Sequence, residues 1–301
     1  MTVNECLGTF YGKPVREFRH GDAITPGDVV YRLTQDYDDE ESQEELLADF
    51  LGKVDASQLQ ALVIGAWSEA TDRSPDGFLN ALIARRAQLP RLAALFVGDM
   101  TYEECEISWI IQTGYSALLE AFPALELLRV RGSTDLSFQP VHHAGLRELA
   151  IECGGLPSSV VNAIAASRLP SLRRLELWLG DDNYGFDGDL DTYVRLIEAI
   201  EPERLEYLGL RNAMISDALA AWLAKQSWLP KIGHLDLSMG TIGDEGAQAL
   251  LDSPYVAQLR TLDVSHHYIS APLAARLQAL PVKVILDDAQ DDDERYVEVA
   301  E

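Results

Sequence analysis

Apolar residues return along this chain in one six-residue form, Leu-x-x-Leu-x-Leu. Its clearest copy is Leu172-Arg-Arg-Leu175-Glu-Leu177. Successive side chains of a strand point to opposite faces. Leu175 and Leu177 therefore share one face, and Arg174, Glu176 and Trp178 share the other. The same form begins at Leu59, Leu92, Leu125, Leu146, Leu205, Ile232 and Leu259, with steps of 33, 33, 21, 26, 33, 27 and 27 residues. Eight copies at steps near thirty predict a solenoid of repeats.

Between the strands the apolar period changes to that of a helix. The pattern predicts helices over Asp76–Leu89, Ser116–Phe122, Pro157–Ser167, Asp189–Ala199, Ser216–Gln226, Asp244–Leu251 and Ala271–Leu280. Several returns carry a proline, as at Pro90, Pro123, Pro170 and Pro230, which stops the helix and frees the next strand. The repeat from Leu125 leaves only residues 137–144, too few for a full helix. Strand and crossover helix in alternation predict an α/β fold with a parallel sheet and helices on one side, joined by right-handed crossovers. Helices are wider than strands. The expected solenoid therefore bends into a horseshoe, with the sheet concave and the helices convex.

Residues 1–58 read as an N-terminal cap. Phe10-Tyr11, Gly12-Lys13-Pro14 and Val15–Phe18 predict a hairpin, and Val29–Thr34 a first strand. Asp36 to Asp49 holds eight acids and no base, and Ser42 with Glu45 is a capping box for the helix that follows. Residues 59–286 form the repeat array, closing on Val282–Leu286. Residues 287–301 hold eight acids and one arginine and are expected to form a mobile acidic tail, Asp291-Asp-Asp-Glu294 above all.

The repeated Leu-x-x-Leu-x-Leu form resembles the leucine-rich repeat family over roughly residues 29–286, and more closely its ribonuclease-inhibitor-like branch. Leu62–Trp67, Glu103–Trp109 and Trp178–Tyr184 are similar to stretches in a group of uncharacterised bacterial leucine-rich repeat proteins, a likeness that brings no established activity. The family usually has Asn at the ninth motif position. Here those positions are Trp67, Met100, Ser133, Gly154, Gly180, Ala213, Gly240 and His267, so the bends must be held by other means.

Composition narrows the partners. A hydrophobic fraction of 47% supplies a core, and a net charge of −25 argues against binding nucleic acid or an anionic membrane surface. Three cysteines, Cys6, Cys105 and Cys153, offer no disulfide framework. The first residues lack the pattern of a signal peptide and no apolar run is long enough to span a membrane. A cytoplasmic monomer is the expectation.

Strand alternation places a surface opposite the helices. Its first two strands offer Ala61, Val63, Gly65, Ala94, Phe96 and Gly98. The middle four bring Arg129, Arg131, Glu152, Arg174, Trp178, Tyr207 and Arg211, and the last two turn polar and acidic. Arg, Trp and Tyr dominate many interfaces, and Arg grips carboxylate or phosphate bidentately. The expected partner is another protein, carrying an acidic or phosphorylated segment with an apolar end over Val63 and Phe96. Pairing of the arginines with Glu148, Glu152 and Glu176 is the alternative reading. Loops beyond the strand ends form a rim with Trp67, Glu103, Glu104, Trp109, Asp181, Asp182, Tyr184, His266 and His267.

Candidate chemistry is sparse. Acids at 103, 104 and 106 disfavour a Cys105 thiolate, and His266-His267 lacks a nearby Cys for zinc. The 180s acids suit helix capping better than a cation cage. No phosphate loop or nucleophile elbow is present. The sequence thus predicts a non-enzymatic, acidic protein-binding scaffold with no cofactor and no metal. An accessory subunit docking on a metabolic enzyme is the alternative, and a metal-dependent enzyme using rim acids the remoter one.

Overall fold

The computed structural model describes residues 3–291 and 294–301. Its strands are β1 Thr9–Phe10, β2 Lys13–Phe18, β3 Val30–Leu33, β4 Ala61–Ile64, β5 Ala94–Val97, β6 Leu127–Arg131, β7 Glu148–Glu152, β8 Arg174–Gly180, β9 Tyr207–Ala213, β10 His234–Asp236, β11 Thr261–Asp263 and β12 Lys283–Ile285. Sheet order follows chain order, and the pairing is mostly parallel, with β1 antiparallel to β2. An α/β chain with an open, mostly parallel sheet and a helix after most strands fits a repeat solenoid.

The helices are α1 Gln43–Lys53, α2 Asp76–Ala84, α3 Ser116–Ala121, α4 Ser158–Ala165, α5 Leu190–Ala199, α6 Ser216–Leu223, α7 Leu229–Ile232, α8 Asp244–Leu251 and α9 Ala271–Gln278. Ser42 and Glu45 cap α1 reciprocally, as the sequence predicts. Most helices end earlier than their periodicity suggests. After α2, for example, the chain tightens into a short 3-10 turn over Arg86–Gln88. No helix lies between β6 and β7. No helix of the described residues is long and apolar enough to cross a membrane.

Two compact units can be distinguished. The first comprises the chain up to Ile151 with Ser167–Ser171, and the second Glu152–Ala166 with Leu172–Ala300. Leucines align across neighbouring strands in each: Leu62 pairs with Leu95 and Leu95 with Leu128 in the first, and Leu208 pairs with Leu175 and Leu235 in the second. These rows are buried, and each apolar side chain withdrawn from water contributes roughly 1.5–3 kcal/mol.

In the first unit the opposite sheet face is buried as well. Ala61, Val63, Ala94 and Phe96 form a second core with Phe10 and Val30, and Leu7, Tyr11 and Val15 pack against it. β4 and β5 read Ala-Leu-Val-Ile and Ala-Leu-Phe-Val, continuous apolar runs that suit strands covered on both sides. The cover is the chain's own N-terminal segment, with Phe10 and Phe96 ring centroids 6.2 Å apart. The expected seat for a partner's apolar end over Val63 and Phe96 is therefore filled in cis.

The bends after the strands lack the asparagine row of the resembling family. A residue in the left-handed region turns the chain instead. Gly98, Gly132, Gly180, Asn212, Met239 and His266 have φ of 91°, 97°, 80°, 54°, 68° and 55°.

Candidate functional site

Sequence reasoning points to two surfaces, the strand positions opposite the helices and the rim of loops beyond the strand ends. Of the seven strand-face residues, Arg131, Glu152 and Trp178 are buried and the rest are half-buried.

In the first unit Arg131 stacks on Phe96, its guanidinium carbon 5.2 Å from the ring centroid, and its Nη1 donates to the Met100 carbonyl at 2.7 Å. Nη1 also lies 3.5 Å from Asp99, whose side chain is fully buried. Arg32 approaches Asp99 from the other side, donating to its backbone carbonyl at 3.0 and 2.7 Å and to Glu104 at 2.7 Å. Its guanidinium fits because Gly65 has no Cβ: one built there would lie 2.5 Å from the Arg32 Cζ. The N-terminal segment is pinned to the same cluster. The Leu7 N–H donates to Asp99 at 3.2 Å, and the Cys6 thiol reaches Glu104 at 3.5 Å.

Electrostatics follow the geometry. Burial, opposed by Arg32 and aided by Asp99 and Glu104, pushes the Cys6 thiol up to about 12. Burial works to raise Glu104, but the Thr101 backbone N–H and Arg32 outweigh it and hold the carboxyl below its ordinary value. Burial, then Glu106, pushes Cys105 up to about 11. Neither thiol is set up as a nucleophile. Glu104, expected to face a partner, is instead a structural acid. Arg32 and Asp99 went unnoticed because their contact spans 67 residues of sequence.

In the second unit Glu176, Trp178, Tyr207, Arg211 and Asp236 form one polar network. Arg211 lies 3.1 Å from Glu176 and 3.4 Å from Asp236, and donates to Ser238 at 2.9 Å. The Tyr207 hydroxyl contacts Glu176 at 3.1 Å and Asp236 at 2.9 Å. The Trp178 indole N–H donates to Glu176 at 3.0 Å. Arg174 and Arg211 stack on Tyr207 and Trp178, 4.3 and 5.3 Å from the ring centroids. Burial, reinforced by Glu176 and Asp236, raises the Tyr207 phenol, and burial outweighs Arg211 to raise Asp236. In the first unit Arg129 lies 3.8 Å from Glu148. Arg129 and Arg211 thus meet Glu148 and Glu176, as the alternative reading holds, whereas Arg131 meets Asp99 and Arg174 stacks on Tyr207.

The rim divides sharply by exposure. Trp67 is 1% exposed and its indole N–H donates to the Arg73 carbonyl at 2.7 Å, so it fills the bend rather than facing outward. His266 and His267 are 1% and 2% exposed, and His266 lies beneath residues 294–300, its Nε2 3.2 Å from the Tyr296 carbonyl. Asp181 caps a short 3-10 turn over Asp182–Tyr184, accepting from the Asn183 N–H at 2.9 Å. Asp189 caps α5. Among the described residues no group of three or more His, Cys, Asp and Glu could hold a metal ion.

Trp109 is 58% exposed, Tyr102 42% and Tyr37 57%. They stand on loops after β5 and β3, at the same end of parallel strands. Hydrogen bonds join these loops through the one after β4: Glu69 N–H to Tyr37 carbonyl at 3.2 Å, and Ile111 N–H to Ala70 carbonyl at 3.1 Å. Glu103 is exposed beside Tyr102. Tyr37 escaped sequence reasoning because it sits inside an acidic run.

Residues 294–300, placed by composition in a mobile tail, pack onto the second unit, with Val297 and Val299 each 4% exposed. The two valines were the available signal, masked by the surrounding acids. Asp292 and Asp293 of that expectation lie outside the described residues.

Comparison with known proteins bears on class rather than chemistry. No protein-family model and no curated protein matches the chain. Among solved structures, it is similar to a Bacteroides fragilis protein whose crystal structure was a structural-genomics target. The two share 31% sequence identity with a TM-score of 0.78, over 84% of this chain and 72% of the other. The chain belongs to the family of that Bacteroides fragilis protein.

Proposed function

We propose that the chain is a non-enzymatic protein-binding scaffold that docks a basic partner surface on the rim of its first unit. In this reading its units are leucine-rich repeats of the ribonuclease-inhibitor-like branch, with right-handed crossovers, in a cytoplasmic protein. The observation that carries the binding reading is the exposure of Tyr37, Tyr102 and Trp109 on hydrogen-bonded neighbouring loops. Large aromatics are enriched at interaction hot spots. Acids surround them: Asp38, Asp39, Glu40 and Glu41 near the first, and Glu103 and Glu106 near the others. Complementary charge steers association, so a cationic partner suits this rim. An acidic or phosphorylated segment suits the molecule less, because it must compete with the carboxylates that already engage Arg131 and Arg211.

The test is affinity capture with wild-type protein beside Tyr102→Ser/Trp109→Ser and Arg129→Glu variants, all of unchanged melting temperature. A stoichiometric partner lost only from the aromatic variant supports the rim. A partner lost only from the arginine variant, or retained by both, overturns it.

A further inference from the structure

Residues 294–300 lie along the bends that follow β9, β10 and β11, and the manner of their binding is that of a peptide in a receptor. The side chains alternate: Val297 and Val299 are 4% exposed, while Tyr296 is 52% exposed and Glu298 and Ala300 are half-buried. Most of the polar contacts go to the segment's main chain. The Asn212 carboxamide grips one residue in both directions, accepting from the Val299 N–H at 2.9 Å and donating to its carbonyl. The Glu298 N–H donates to the Met239 carbonyl at 2.8 Å. The Tyr268 hydroxyl bonds the Tyr296 N–H and carbonyl, each at 2.9 Å, and His266 Nε2 meets that carbonyl at 3.2 Å. Side-chain contacts add polarity to the register: Arg295 pairs with Asp217 at 3.0 Å, donates to the Thr241 carbonyl at 3.4 Å and lies over Tyr268.

Asn212, Met239 and His266 are the left-handed residues of three successive bends. The repeat thus presents them at regular intervals along the rim. Asn212 and His266 are 0% and 1% exposed with residues 294–300 in place. Without that segment the Asn212 amide and His266 Nε2 would lose these hydrogen bonds, so the groove favours having an occupant. Recognition through main-chain hydrogen bonds with alternate apolar sockets accepts many sequences of one pattern. The groove is also not filled across its width. A cleft of about 460 Å³ beside Arg295–Val297, lined by Met214, Ile215, Asp217, Thr241 and Glu245, stays open. A ligand with bulkier side chains at these positions gains contacts there that residues 294–300 do not make.

We propose that this rim is an exchangeable peptide-binding groove, occupied in cis by residues 294–300, whose external ligand is a partner-protein segment of the form Arg-x-Val-x-Val. The inference deepens the protein-binding reading but uses the other unit, so loss of the Tyr102 and Trp109 site leaves it standing.

The probe is a dye-labelled peptide, Glu-Arg-Tyr-Val-Glu-Val-Ala, added to the full chain and followed by fluorescence anisotropy. A tethered occupant competes at an effective concentration of about millimolar. Val297→Asp/Val299→Asp, which empties the groove, is expected to bind the peptide at least about tenfold more tightly than wild type. Adding Asn212→Ala in that background should remove the gain. Equal binding by wild type and the double variant overturns the proposal. Hydrogen exchange on the wild-type chain with millimolar peptide decides the matter even if the double variant loses its cooperative melt. Faster exchange at the Glu298 and Val299 amides, with β9 to β11 unchanged, supports exchange of occupants. Unchanged exchange at those amides means a purely structural strap and sinks the idea.

Discussion

Gly180 turns the chain at φ +80°, and a Cβ there would collide with the backbone of Gly154. Left-handed backbone costs an L side chain about 1–2 kcal/mol before any collision. Gly180→Ala should therefore lose more than about 2 kcal/mol of unfolding free energy in urea. Gly8→Ala, with open space around it, serves as the control and should be near neutral. Asp99 is the second residue on which much depends. Its carboxylate is fully buried between Arg32 and Arg131, whose side chains are 4% and 5% exposed. Removing one member of a buried charge cluster leaves the others uncompensated, at about 3–5 kcal/mol. Asp99→Ala should show that loss by denaturant unfolding, far more than Glu103→Ala on the exposed rim. Neither residue stood out in the sequence. A glycine or an aspartate after a strand is common, and what singles these out is a contact made tens of residues away.

Elements were far more legible than single residues. Twelve strands and the capped first helix lie where apolar spacing puts them, because burying one face imposes a period on the sequence. Helix ends were less legible, since apolar spacing persists into the 3-10 turns. The hairpin at Phe10 lies where the sequence puts it, but its packing over Phe96 and the folding back of residues 294–300 were not legible, because a short apolar motif such as Val297-x-Val299 has no period of its own. Their energetic weight is testable. Phe10→Ala removes a ring packed on Phe96 and should cost about 3–5 kcal/mol, with binding of a hydrophobic dye as β4 and β5 become wet. The bend beneath residues 294–300 should confer pH sensitivity. Burial, aided by His266 and opposed by the Leu286 backbone and Asp288, holds the His267 imidazole below its ordinary 6.5. As pH falls through 6.5 the unfolded chain accepts a proton that the folded chain resists. Stability is thus fully present above 6.5 and declines below it, levelling only once the folded value is passed. The urea midpoint of wild type should fall between pH 7 and pH 5, and His267→Asn should lessen that fall. An equal fall in both would place the pH dependence elsewhere.

At the scale of the molecule, a net charge of −25 and an open repeating sheet were plain in the sequence, whereas the location of a free surface was not. Alternation lists every outward strand position, but it cannot show that Phe10 covers one stretch of them or that Glu176 and Asp236 saturate Arg211. With those positions engaged, the exposed aromatics and acids of the first unit's rim are the contact surface we propose. Such an interface has a signature that its parts predict separately. Truncating Trp109 and Tyr102 should weaken the partner mainly by speeding dissociation, since hot-spot aromatics govern residence time. Neutralising Glu103 and Glu106 should instead slow association and flatten its salt dependence, because exposed charges act at long range and are screened within about 8 Å at physiological ionic strength. Both arms can be read by surface plasmon resonance at two salt concentrations. Association that is indifferent to salt and to Glu103→Gln/Glu106→Gln would mean that the acids serve solubility alone, and would leave the aromatics as a contact with no preference for a basic partner.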